Sequence, residues 1–168
     1  MEKPINLIFI STEEEVPTIS HPRTLFVAEA GSQATVIESY IGMGKGCYFT
    51  NSVTEGSIDS AAQIEHYKLI MESENSFHIG SNYVHQGPDS QFSSTVFETG
   101  SSIGRYNMHA LLDAEGSSCS LHGLYVTSNN QHIDNNINID HAKPHTTSRL
   151  YYKGIVDDKA KAVFGGMV

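Results

Sequence analysis

Tryptophan is absent from this 168-residue sequence, cysteine occurs twice, and 10 Lys and Arg stand against 19 Asp and Glu. Each scarcity excludes something. Without Trp there is no indole platform for a sugar ring. Cys47 and Cys119, 72 positions apart, form neither a disulfide framework nor the paired spacing of a zinc site. They read as two buried reduced thiols, since free Cys is among the most buried residue types. A net charge of −9, with no run of five basic residues, repels phosphate backbones and argues against a nucleic-acid partner. The apolar run Ile5 to Ile10 is broken by Asn6 and followed at once by Glu13-Glu14-Glu15, too short for a signal core. Nothing approaches the ~20 apolar residues of a membrane span, so no membrane partner is expected. No N-x-S/T acceptor occurs, which favours an intracellular protein.

Helical periodicity is also missing. Thr24 to Tyr40, Leu121 to Thr127 and Ser148 to Val156 are rich in Val, Ile, Thr, Tyr and Phe, with Gly, Ser, Asn or Asp clusters between such segments. Asp157 to Val163 is too short for a stable helix and reads as a turn at Asp157-Asp158 feeding a last strand, Ala160 to Val168. Gly-Ser pairs recur at Gly31-Ser32, Gly56-Ser57, Gly100-Ser101 and Gly116-Ser117, each opening a β-like segment. A glycine before each strand suits a corner that requires positive φ. The spacings of 25, 44 and 16 residues show no strict period, and the gap of 44 predicts a further corner at Gly87-Pro88. Recurrent corners without Asn-Gly or Asp-Gly hairpin turns predict an all-β chain of stacked coils in place of a hairpin sandwich.

The chemistry-bearing clusters resolve into structural readings. Gly42-Met43-Gly44-Lys45-Gly46 lacks the Ser or Thr that follows Gly-Lys in a phosphate loop, and a strand-like segment follows it; it reads as a flexible corner. The nine histidines gather most densely around His132, Asp134, Asp140, His141 and His145. Pro144 forbids the helix that would put His141 and His145 on one face. His132 and Asp134 share a strand face, but two side chains make an incomplete metal site. These five residues are therefore a polar cluster with no metal assigned. Glu29, Glu38, Glu55, Glu65, Glu98 and Glu115 are read as solvated corner carboxylates, and no Gly-x-Ser-x-Gly elbow is present. No catalytic residue is assigned. A β-solenoid carbohydrate-active enzyme is the main alternative, and a self-assembling structural β-module a third.

The carboxy-terminal third carries a combination of motifs. Leu121-His122-Gly123-Leu124-Tyr125, Gln131-His132-Ile133-Asp134, Ile139-Asp140-His141, Pro144-His145, Tyr152-Lys153-Gly154-Ile155 and Ala162-Val163-Phe164-Gly165-Gly166 together resemble the SufB/SufD family of iron–sulfur assembly proteins, in an order nearer SufD. Val27-Ala28-Glu29-Ala30-Gly31-Ser32 and Val36-Ile37-Glu38-Ser39-Tyr40 extend the likeness over most of Pro22 to Val168. The resemblance implies a right-handed parallel β-helix, with residues 1–20 as a lead-in and 21–168 as the core domain. It implies a non-enzymatic scaffold in a SufBCD-type complex with SufB-like and SufC-like subunits, cytoplasmic or in the plastid stroma. The Fe–S cluster would be a product of the full complex and not a cofactor of this chain. The family's helical flanking regions, including the one that docks SufC, and its Cys-x-His segment have no match in these residues, so no cluster ligand carries over to Cys47 or Cys119. Val163, Phe164 and Met167, in a last coil with no charge after Lys161, form the candidate interface and predict a homodimer when the chain is alone.

Overall fold

The computed structural model describes residues 3–168. Thirteen strands follow one another: β1 (Ile5–Ser11), β2 (Thr18–Ser20), β3 (Arg23–Ala28), β4 (Gln33–Gly42), β5 (Tyr48–Ile58), β6 (Gln63–Met71), β7 (Phe77–Gln86), β8 (Gln91–Thr99), β9 (Ile103–Leu112), β10 (Ser118–Thr127), β11 (His132–His141), β12 (Thr147–Val156) and β13 (Lys161–Met167). No described residue lies in a helix, and so none forms one long and apolar enough to cross a membrane. Alternate strands belong to alternate sheets. A six-stranded sheet runs β1-β4-β6-β8-β10-β12, and a seven-stranded sheet runs β13-β11-β9-β7-β5-β2, with β3 also on β5. Every pairing is parallel. The expected right-handed parallel β-helix is the fold.

The coil length follows from register. Glu38 pairs with Lys68, Lys68 with Val96, Val96 with Gly123 and Gly123 with Tyr152, steps of 30, 28, 27 and 29 residues. The spacings of the Gly-Ser pairs miss this repeat because Gly56-Ser57 is no corner and Gly100-Ser101, between β8 and β9, turns on the opposite edge from Gly31-Ser32 and Gly116-Ser117. Gly56 and Ser57 lie inside β5, and Gly56 is small because a methyl group there would collide with the Phe26 ring. The corner leading into the six-stranded sheet puts Gly31, Ala61, Asp89, Gly116 and His145 in the left-handed region, with φ between 54° and 75°. Backbone bonds tie these corners together, as in Gly31 N–H to Ser60 O and Ala61 N–H to Pro88 O. The predicted corner at Gly87-Pro88 belongs to this series. On the opposite edge the Gly42 to Gly46 segment is a corner, with Gly44 at φ 96°, and Asp157-Asp158 turns the chain into β13.

Side chains alternate between lumen and exterior. Beside the first corner the lumen is apolar: Ile58, Ile64, Phe92, Met108, Leu112 and Leu121 are almost wholly buried. Beside the second corner it is polar, and this half holds the charged groups.

Candidate functional site

Three successive inward positions on β5, Thr50, Ser52 and Thr54, face Glu38 and Tyr40 of β4 and His66 and Lys68 of β6 across the lumen. The strand register brings them together, with Glu38 directly beneath Lys68. Lys68 Nζ lies 3.3 Å from Glu38 Oε2 and donates to Asn82 Oδ1 at 3.0 Å. The Tyr40 and Tyr106 rings stand 4.9 and 5.8 Å from the ammonium, within cation–π range. Thr54 Oγ1 sits 3.0 and 2.9 Å from the two Glu38 oxygens. Burial on its own would raise the Glu38 carboxyl; His66 and the Lys68 charge outweigh it and hold the group at about 2. Burial pushes Lys68 down, opposed mainly by Glu38.

A second pair lies against the first. His78 Nδ1 is 3.0 Å from Glu72 Oε2, Thr50 donates to Glu72 Oε1 at 2.9 Å, and Ser52 Oγ is 3.3 Å from His78 Nε2. The order Ser52–His78–Glu72 is that of a hydrolase triad. Ser52 is fully buried, and the backbone N–H groups around it are spent in the β5–β7 ladder, where no oxyanion could collect donors. The arrangement orients an imidazole. Burial lowers both His66 and His78 despite the carboxylates beside them, so both rings are neutral near pH 7. An open recess of about 360 Å³, lined by Phe9, His21, Pro22, Tyr40, Thr50 and Glu72 among others, reaches this pair from the amino-terminal coil.

Further along the axis, burial raises Glu98 to about 7, against a weak bond from Asn135. Its Oε1 has no hydrogen-bond partner. Gly104 makes room for it, since a methyl group there would strike Glu98 Oε1 and Ile133. The reading of Glu38 and Glu98 as solvated carboxylates is therefore corrected: both point into the lumen, and Glu29, Glu55, Glu65 and Glu115 are the exposed ones. Cys119 is buried, its thiol pushed up to about 12 by desolvation, whereas Cys47 is exposed at a corner, contrary to expectation.

The five polar residues singled out in the sequence lie outside this lumen. His132 and Asp134 are on the outer face of β11, where Asp134 holds Arg105 at 2.6 Å. His141, exposed at the end of β11, bonds Thr146 and Ser148. Asp140 is exposed beside it, and His145 occupies a left-handed corner. Among the described residues no three His, Cys, Asp or Glu side chains gather at metal-binding distance. On β13, Val163, Phe164 and Met167 are 48%, 42% and 63% exposed.

A two-sided parallel β-helix with an ionic lumen and unpaired end strands defines a stacked-coil β-solenoid. The chain belongs to the SufBD core-domain family: the model for "SUF system FeS cluster assembly, SufBD core domain" matches residues 9–168. It is 31% identical to the iron–sulfur cluster assembly protein SufD of Escherichia coli over 99% of the chain and 40% of that protein. It is 30% identical to an iron–sulfur cluster assembly SufBD family protein of Synechocystis over 100% of the chain and 39% of that protein. Likeness to the chloroplastic protein ABCI7 of Arabidopsis thaliana is 31%, over 100% of the chain and 37% of that protein. The chain thus spans about two fifths of the length of these relatives.

Proposed function

We propose that this chain is a scaffold subunit of an iron–sulfur cluster assembly complex, acting through protein–protein contacts and not as a catalyst. The observation that supports this reading is the apolar exposure along β12 and β13. β12 and β13 are edge strands of the two sheets, and Tyr151, Val163, Phe164 and Met167 are exposed along them. Unpaired backbone beside apolar side chains is a template for strand pairing with another solenoid. SufB-like and SufC-like partners, in a bacterial cytoplasm or plastid stroma, belong to the same proposal, which the likeness to a bacterial protein named SufD and to a chloroplastic relative supports. Without such a partner the same edge closes on a second copy as a two-fold homodimer.

The test is copurification of the chain with a SufB-type subunit, with and without Phe164→Asp. Stable co-elution lost in the variant is the expected result. Equal co-elution of both chains, or none for either, would refute the scaffold reading through this edge.

A further inference from the structure

Three outward columns of the six-stranded sheet are nearly free of charge. Register defines three outward columns of six residues across β1, β4, β6, β8, β10 and β12. The middle column runs Ile8, Ser39, Leu69, Phe97, Leu124, Lys153. Of the eighteen positions twelve are apolar, and Lys153 carries the only formal charge; the other polar residues are Asn6, Thr95, Thr99, His122 and Ser39. The apolar side chains are most open on the edge strands, where Ile8 is 59% exposed, Tyr151 61% and Ile155 52%; on the inner strands Tyr67 and Leu124 are 38% and 37% exposed and Ile37, Leu69 and Phe97 are half-buried. The opposite sheet differs. Its outer face carries ion pairs, Arg23 with Glu55 and Arg105 with Asp134. A chain of net charge −9 thus keeps its carboxylates off these three columns, and Glu65 and Arg149 stand in the next outward column of the same sheet. Contiguous apolar surface of this kind marks an interaction site.

We infer that this face docks an amphipathic α-helix of a partner polypeptide, laid across the strands with a basic flank toward the corner that leads into this sheet. Size selects the helix. Six strands at ~4.8 Å spacing span about 24 Å, and three alternate residues span about 13 Å along a strand. A helix of about 16–20 residues is 24–30 Å long and 10–12 Å wide, which fills that footprint. A second copy does not suit it. The patch offers a flat area on the order of 300–400 Å², against about 800 Å² per partner in a standard interface.

Charge sets the orientation. Glu29, Asp59, Asp89 and Glu115 are exposed along the corner that starts β4, β6, β8 and β10, and Glu65 stands in the neighbouring outward column; at the β12 end of this flank stand Lys143 and Arg149. The opposite flank mixes signs, with Lys45 and Lys159 beside Glu74 and Asp158. Lys or Arg along one side of the helix would meet the acidic flank while its apolar stripe covers the columns.

The probe is a fluorescein-labelled helical peptide of about 18 residues, with leucines on one face and lysines along one flank. A counterpart carries glutamates in place of the lysines. The whole chain is titrated against each by anisotropy at low and high salt. The lysine peptide should bind about tenfold tighter than the glutamate peptide at low salt, and the gap should shrink as salt screens it. Leu124→Lys should weaken binding about tenfold, Tyr151→Lys on the edge strand should do likewise, and Tyr83→Lys on the other sheet should not. Unchanged circular dichroism shows that each variant is folded. No binding, equal binding of both peptides, or equal loss in Tyr83→Lys overturns the proposal. A dimer seen by light scattering that Leu124→Lys dissolves would assign the face to a second copy. Flotation with phosphatidylcholine–phosphatidylglycerol vesicles that Leu124→Lys abolishes would assign it to lipid. Either result overturns the helix.

Discussion

Lys68 sits one coil above Glu38 in strict register, its ammonium 3.3 Å from the carboxylate, with both side chains wholly excluded from solvent. Desolvating two charges is costly, and their attraction plus Thr54, Asn82 and two aromatic faces offsets that cost. Removing one partner leaves the other charge buried. Lys68→Met should therefore destabilise the chain by about 3–5 kcal/mol. The double replacement Lys68→Met, Glu38→Leu should recover most of that loss. Urea unfolding measures both, and equal stability of the single and double variants would contradict a buried ion pair.

Glu98 has the opposite dependence on pH from Glu38. Burial holds Glu98 at about 7, above an ordinary carboxyl at 4.5, so the folded chain binds its proton more tightly than the unfolded chain. Its contribution is full below pH 4.5 and is lost as pH rises through 7, a change on the order of 3 kcal/mol. Glu38, held at about 2, contributes stability above pH 4.5 that is lost as pH falls toward 2. Glu98→Gln should thus gain stability on the parent between pH 5 and 8. A difference between the two chains that stays flat over this range would show that Glu98 does not titrate there.

The stack of coils was legible in the sequence, and the inside of the stack was not. Gly31 and Gly116 announce corners because glycine takes positive φ without strain, whereas Ala61 and His145 take the same conformation in the same corner and leave no such mark in the sequence. Gly56 has the same neighbours and answers to the Phe26 ring instead, a contact made across a coil that local pattern does not reveal. Hydrophobicity also fails to mark the inside. On β4 Glu38 points inward while Ile37 and Ile41 face out, so polarity is inverted on both sides of one strand. The signal that would have found the lumen is the step of 27–30 residues, which sets Glu38 under Lys68. The histidine cluster was conspicuous through sequence proximity alone, and the solenoid spreads it over the exterior and a corner.

The two thiols should behave as different species. Cys47 is exposed, whereas Cys119 is buried and its thiol is pushed up to about 12, so almost none is thiolate near neutrality. A chromogenic disulfide reagent should titrate one thiol quickly and the second only in denaturant. Cys47→Ser should abolish the fast phase. Two thiols in separate coils fall short of the four that usually hold a cluster. Anaerobic incubation of the isolated chain with iron and sulfide should therefore leave no charge-transfer absorption after desalting; a persistent brown species with stoichiometric iron would refute this.

The proposed association surface is the edge strand β13. β13 is the last strand of its sheet, with Val163 directed outward in register with Asp134, and Phe164 turned toward Tyr152, ring centroids 5.1 Å apart. Phe164 is 42% exposed. Covering the exposed two fifths of that side chain would contribute roughly 0.6–1.3 kcal/mol on each side of a two-fold contact, and the β13 edge adds strand pairing. A charge there opposes both. Phe164→Asp should shift the isolated chain strongly toward monomer, measured as molar mass by light scattering at matched concentration. Val163→Asp tests the same edge from its outer side, where Asp134 already stands and a second carboxylate adds repulsion. A monomeric parent, or a dimer indifferent to both replacements, would remove this edge from consideration as the association surface.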